Sequence, residues 1–415
     1  MENKDTKISL FYFSACISFI VGLVLQDFFK IPLTGGIIVL GLTWIFTLKF
    51  KAKFKTLLAK PIALALIALY VLHLISLLYS TNTPVALNDL RLKITLFLLP
   101  LFMLSTSLFS YAWKKKLLYL YFILMVGMAI FDLYFSYTAY LISENLSVFY
   151  YKNLPHLLFA KPHYAAWYYS FALFIGFYEI TRQTNYKIGW ILGAIVLLIS
   201  LLLLSSRAYL FAFIIVAVIS GISSVRSNTI STKSILRLLI PFGFVLSLGL
   251  LIPNTRARLT DTVAEVNKLF DQKEQRQTNP RVYIWQYAGK LILADPILGL
   301  GIGDAKIELN KALQDCDALF WNGNENVLLN KKVLNFHNQF LQTWAEVGVL
   351  GFLLLVFLLI KPFFLKNKHP LFLIFVGLTF FGFLTESMLE RQAGVVFLAF
   401  MYPLLYSLEE GKKEA

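Results

Sequence analysis

Charge is what this chain has least of. Charged residues make up 15% of its 415 residues, against about a quarter in soluble domains, and the acidic kind is scarcer, 23 Asp and Glu against 38 Lys and Arg. Cysteine is rarer still: Cys16 lies in the first apolar run and Cys316 in a polar region, so no disulfide is expected between them. Neither a CxxC pair nor a Cys/His spacing of zinc type occurs. These absences exclude a disulfide-stapled secreted module, a zinc module and a thioredoxin-like redox site. No small-residue cleavage site follows the first apolar run, which therefore reads as a retained helix rather than a removed signal peptide. The glycines of "DPILGLGIGD" (295–304) neither follow a strand nor open a clear helix, which argues against a dinucleotide fold.

What the chain has in excess is apolar and aromatic surface: 58% hydrophobic residues, mean hydropathy +0.69, 38 Phe and 21 Tyr. About 20 apolar residues span the hydrocarbon core as a helix. Runs of that kind fall at about 9–26, 31–48, 61–80, 94–110, 117–141, 164–181, 188–204, 208–223, 238–252, 346–364, 370–386 and 392–408. The expected fold is all-α and polytopic, with about twelve transmembrane helices and one large, partly helical outer loop between helices nine and ten. This divides the chain into helices one to nine (1–252), the loop (253–345), and helices ten to twelve with a tail (346–415). With a cytoplasmic N-terminus, the inner tails and loops carry 20 of the 38 Lys and Arg. The short outer loops carry seven and the segment 253–345 the other eleven. Cytoplasmic loops collect Lys and Arg, so both termini are expected inside. The net charge of +15 is thus explained by topology, and no nucleic-acid partner is expected.

Three basic residues stand out on the outer side. In "NPRVYIWQYAGKLILA", Asn279 suits an N-cap and Pro280 a first helical residue, which puts Arg281 in the first turn. A cation there opposes the helix dipole unless an anion joins it. The plain alternative is a solvent-facing arginine. Apolar residues at Trp285, Ala288 and Ile292 give this helix its buried period. Arg207, in "LLLLSSRAYLFAF", sits in a tight outer turn at the membrane boundary, where it either snorkels or clamps an anion. His337 lies in "NFHNQFLQTWAEVGVLG", where Asn335 can cap a helix running through Phe340, Trp344 and Val347 into the tenth segment. In the first turn of that helix the dipole disfavours imidazolium, which suits a general base; a structural interfacial histidine is the alternative.

Weaker candidates are Asn338 beside that histidine, His163 and Tyr164 at an outer helix start, and Asp132 in the outer half of the fifth segment. Glu386, Glu390 and Arg391 in "LTESMLERQAG" are spaced to pair with one another. His73, mid-membrane in the third segment, reads as a helix–helix contact. Asp315 and Asp317 flank Cys316 without another acidic partner, and neither a metal nor another cofactor is expected.

Three stretches in this order resemble the O-antigen ligases and the related O-antigen polymerases of the bacterial envelope: "SSRAYL", "NPRVYIWQYAGKLILADPILGLGIGD" and "FHNQFLQTWAEVGVLG". The likeness covers most of the chain. It implies inverting, metal-independent glycosyl transfer on the periplasmic face of the inner membrane. The implied donor is a glycan on undecaprenyl diphosphate, the implied acceptor a sugar hydroxyl of the lipid A core, and the setting is membrane lipid. His337 would be the base, with Arg207 and Arg281 binding the diphosphate.

The nearest rival is a polymerase that joins lipid-linked repeat units. Transfer to protein hydroxyls is a third enzymatic reading, and a lipid-glycan flippase or transporter is the non-enzyme alternative. Accumulated lipid-linked polymer over bare core in a deletion strain marks a ligase, and core capped by one repeat unit marks a polymerase.

Overall fold

Long apolar runs have only their own backbone to hydrogen-bond in lipid, so they fold as helices. The computed structural model describes residues 2–26, 30–106, 108, 110–154, 161–182, 186–226, 280–314, 319–321, 326–328, 334–366 and 369–410. Ten helices precede residue 227: α1 (Glu2–Leu25), α2 (Ile31–Phe46), α3 (Phe50–Leu58), α4 (Pro61–Ser76), α5 (Thr83–Lys93), α6 (Thr95–Leu104), α7 (Tyr111–Ser143), α8 (Pro162–Ile180), α9 (Lys187–Leu204) and α10 (Arg207–Arg226). Among the described residues five more follow: α11 (Pro280–Ala294), α12 (Ala305–Ala312), α13 (Gln339–Ile360), α14 (Pro370–Thr385) and α15 (Gln392–Glu410). Between α12 and α13 lies an antiparallel hairpin of β1 (Leu319–Trp321) and β2 (Asn326–Leu328), so the fold is helical with one small β element rather than purely α.

Each apolar segment foreseen in the sequence coincides with a helix, except 238–252, which lies outside the described residues, as do Asn279, Cys316 and the acids flanking it. Among the described residues, four helices are long and apolar enough to cross a membrane: Lys7–Leu25, Tyr111–Ser143, Lys187–Leu204 and Gln339–Phe364. A fifth span results if α2 and α3, bent by 114° at their junction, are counted as one. Shorter apolar helices complete the bundle. The amphipathic α3 and the short α5 were not foreseen; both lie in stretches too polar to count as spans.

The bundle is organised around α8. Its sequence, "PHYAAWYYSFALFIGFYEI", is apolar on every side, the signature of a helix buried all round. Trp167, Tyr168 and Phe171 are fully buried against Phe375 and Phe397, with Tyr168 stacked on Phe397 at 3.9 Å. Buried tyrosines need partners for their hydroxyls, and backbone carbonyls supply them. Tyr121 donates to Tyr168 O at 2.9 Å and Tyr168 to Ala393 O at 2.9 Å.

A second, smaller core lies at the polar end. Ile284, Ala288 and Ile292 of α11 pack with Ala305, Leu309, Leu313, Phe336 and Ala345. The buried period of α11 therefore runs through Ile284 rather than Trp285, which is 37% exposed.

α13 is not continuous. Val347 (φ −135°, ψ 18°) and Gly348 (φ 71°, ψ −169°) break it, and Gly348 sits in a region that essentially only glycine occupies. The break is filled by the "DPILGLGIGD" turn. Leu300 N–H and Gly301 N–H donate to Ala345 O (2.7 Å) and Glu346 O (3.2 Å), while Pro296 O accepts from Val349 N–H (3.0 Å) and Trp344 Nε1–H (2.9 Å). A Cβ on Gly348 would lie 1.8 Å from Ile297 O, and one on Gly299 would lie 2.7 Å from Ala345 O. These glycines let two backbones meet. Asp304 then ties the turn to the α4–α5 connection, accepting from Thr81 N–H (2.6 Å), Thr81 Oγ1–H (2.8 Å) and Asn82 N–H (3.0 Å).

Candidate active site

The stretch before α13 is held from both sides. Asn310 clamps Leu334 through two hydrogen bonds, 2.8 Å to its carbonyl and 2.7 Å from its N–H. Phe336 is buried in the second core, and Trp285 Nε1–H donates to its carbonyl at 3.0 Å. Between these anchors His337 takes a left-handed backbone, φ 45°. Asn335 Oδ1 accepts its N–H at 3.2 Å, the local turn that such a conformation needs. The helix begins only at Gln339, and its cap is Asn338, whose Oδ1 accepts from Phe340 N–H (2.9 Å) and Leu341 N–H (3.1 Å). This corrects two expectations: Asn335 is not the cap, and His337 precedes the first helical turn. The dipole argument for a neutral imidazole therefore does not apply.

What orients His337 is a carboxylate. Its Nδ1 lies 2.8 Å from Glu386 Oε1. Glu386 stands just past the end of α14, where Asn338 Nδ2–H donates to Leu384 O at 3.2 Å and fastens that end to the α13 cap. Its side chain is 4% exposed. Burial pushes the carboxyl group up, but the hydrogen bond from His337 and the charges of His337, His163 and Arg281 outweigh it and bring Glu386 down to about 2. An ionised carboxylate can only accept, so the proton of this bond sits on Nδ1. In a neutral ring Nε2 then carries the lone pair, the base–orienter geometry of nucleophile-activating histidines. The side chain of His337 is 27% exposed.

Arg281 reaches the same carboxylate, its guanidinium 3.4 Å from Glu386 Oε2, and so the anion beside it is first of all a protein side chain. His163, in the first turn of α8, has Nε2 3.8 Å from the same oxygen. Tyr164 follows it, donating to Met388 O at 3.4 Å. The structure thus brings His337, Arg281, His163, Tyr164, Asn338 and Glu386 together at one end of the bundle.

Arg207 opens α10 at that same end. Tyr209, two residues on, packs on Gly382 and lies 4.0 Å from Met388 Sδ. The start of α10 thereby meets the 382–388 stretch that carries Glu386.

Two candidates do not reach that carboxylate. Asp132 is buried between α7 and α8, accepting from Tyr169 Oη–H at 2.9 Å. Arg391 is exposed, and among the described residues neither Glu386 nor Glu390 pairs with it. The partners of Glu390 are Asn335 Nδ2 (2.7 Å), Gln342 Nε2 (2.9 Å) and Lys306 Nζ (3.5 Å).

Beneath the site lies a buried ionic cluster. Glu346, 2% exposed, meets His73 Nε2 at 3.1 Å, Lys93 Nζ at 3.4 Å and Gln342 Nε2 at 2.6 Å. His73 is thus a helix–helix contact with a charged partner. Sequence reading passed over Lys93, Glu346, Gln342 and Asp304. The available signal was Glu346 itself, an acid inside an apolar run, which requires a buried partner.

Fold and site together define a polytopic helical membrane protein with a cation-rich polar centre built around one buried carboxylate. Residues 192–356 match the family model described as O-Antigen ligase, so that segment is similar to this family. No curated protein matches the chain. The matched segment contains Arg207, Arg281 and His337, whereas His163, Glu386 and Glu390 lie outside it.

Proposed function

We propose that this protein is an O-antigen ligase. It transfers a glycan from undecaprenyl diphosphate to a sugar hydroxyl of the lipid A core at the periplasmic face of the inner membrane, with inversion. The observation that carries the reading is the His337–Glu386 pair with Arg281 on the same carboxylate. The acceptor O–H attacks the anomeric carbon while the bond from that carbon to the diphosphate oxygen breaks. The acceptor proton passes to His337 Nε2, and the glycan leaves undecaprenyl diphosphate in one displacement. Negative charge builds on the leaving diphosphate, which the guanidiniums of Arg281 and Arg207 receive; planar forked donors suit that charge. Glu386 holds the imidazole with Nδ1 protonated and stabilises the imidazolium as it forms.

The polar centre sits at the bundle end formed by the foreseen outer connections, around 81–93, 142–154, 161–163, 205–207, 334–338 and 386–391. The positive-inside pattern supports assigning that end to the periplasm. The glycolipid profile of a deletion strain tests the reading. Loss of the gene leaves bare lipid A core and accumulates lipid-linked polymer, wild type restores polymer on core, and His337→Ala does not. Core capped by one repeat unit would instead assign the chain to polymerisation. Full complementation by His337→Ala would remove the base from the mechanism.

A further inference from the structure

His337 owes its left-handed backbone to Asn335, and Asn335 owes its orientation to a residue outside the matched family segment. An asparagine amide can face either way, and only one face helps here. Asn335 Oδ1 must point at His337 N–H, 3.2 Å away, to close the turn. Its Nδ2 must then point at whatever lies on the other side, and there Glu390 Oε2 accepts it at 2.7 Å. A carboxylate has no hydrogen to give, so it rejects the flipped amide. Glu390 is held in turn: Oε1 accepts from Gln342 Nε2 at 2.9 Å, and Lys306 Nζ lies 3.5 Å away. Gln342 Nε2 also donates to Glu346 Oε1 at 2.6 Å, which roots the chain of contacts in the buried ionic cluster. The side chain of Glu390 is 12% exposed, so little water competes for these bonds.

We infer that Glu390 is a positioning residue: through the Asn335 amide it fixes the backbone of His337, and so aims the imidazole between Glu386 and the acceptor hydroxyl. The aim at an acceptor rests on the ligase reading; the latch does not.

The donor–acceptor pattern dictates the test. In Glu390→Gln, the new Oε1 still accepts from Gln342, but its Nε2 faces the Asn335 amide donor. Asn335 must flip, and its NH2 then confronts His337 N–H. In Asn335→Asp, two carboxylates face each other. In the double variant Asn335→Asp/Glu390→Gln the hydrogen bonds between positions 390, 335 and 337 are restored: the amide now at position 390 donates to the carboxylate now at position 335, which still accepts from His337 N–H. A merely structural need for charge at 390 predicts no such rescue.

Full-length protein is reconstituted in liposomes with undecaprenyl-diphosphate glycan and lipid A core, and kcat and KM are measured. In parallel, without substrate, carbethoxylation of His337 by diethyl pyrocarbonate is followed by peptide mass spectrometry. Each single variant is expected to lower kcat about tenfold or more with donor KM within about threefold, and to shift the His337 modification rate at least fivefold. The double variant is expected within threefold of wild type in both readouts. A double variant no better than the worse single variant, or single variants at wild-type values, overturns the latch. Should a single variant fail to fold, the double variant still decides by the same threshold. Absent transfer in wild type, with the modification pattern intact, refutes the ligase reading and leaves the latch standing.

Discussion

Glu386→Gln is the most informative single substitution, because it keeps the shape of the side chain and removes only its charge. The carboxyl group is lowered from its ordinary 4.5 to about 2 despite burial that pushes it up. At about 1.4 kcal/mol per unit, this puts roughly 3 kcal/mol of net interaction with the ionised form. If the whole of that were lost where the imidazolium forms, transfer would slow about 10²-fold. An amide can also present its NH2 to Nδ1 and drive the ring to the other tautomer, so the expected fall is about 10²–10³. The assay is the initial rate of glycan transfer in liposomes, with thermal unfolding recorded beside it. The same shift has a sign in pH. The folded value lies below the unfolded one, so the contribution is fully present above about pH 4.5 and fades as pH falls toward about 2. Wild type is expected to lose thermal stability over that window, and Glu386→Gln to lose much less. A Glu386→Gln protein that transfers glycan within twofold of wild type would refute the orienting role.

Further outcomes follow from the same geometry. His337→Ala is expected to lower transfer by at least about 10³ without altering folding, measured as initial rate and melting temperature. Arg281→Ala and Arg207→Ala are each expected to cost about 10²–10³ in rate if they receive leaving-group charge, and wild-type turnover in both would remove the clamp. Gly348→Ala forces a Cβ to 1.8 Å from Ile297 O at φ 71°. It is expected to destabilise the fold by about 3 kcal/mol or more, read as a fall in melting temperature or loss of folded protein. Glu346→Ala leaves Lys93 buried without its anion and is expected to cost about 3–5 kcal/mol, again read by thermal unfolding.

Periodicity and composition carried the helical membrane class, because a run such as 188–204 has one way to satisfy its backbone in lipid whatever surrounds it. They carried His337 and Arg281 as well, since a polar residue beside an apolar run is visible in one dimension. They did not carry the break at Gly348: "AEVGVLG" has an unbroken helical pattern, and the partner that fills the gap lies near residue 300. The glycines of "DPILGLGIGD", which in the sequence argued only against a dinucleotide fold, are a docking surface for that break. Asn335 and Asn338 are equivalent as caps on paper. The structure chose Asn338 because Phe336 is drawn into the second core and Asn335 is committed to Glu390.

The sequence alone therefore determined the apolar medium these helices suit, the spacing of the apolar segments that coincide with described helices, and which polar residues stand at their ends. Only the tertiary structure decided that His337, Arg281 and His163 share one carboxylate, and that Asp132 and Arg391 do not reach it. The reason is physical: hydrophobic burial is read from neighbours three or four residues apart, whereas Glu386 and His337 are 49 residues apart and meet only when two helix ends are fastened together.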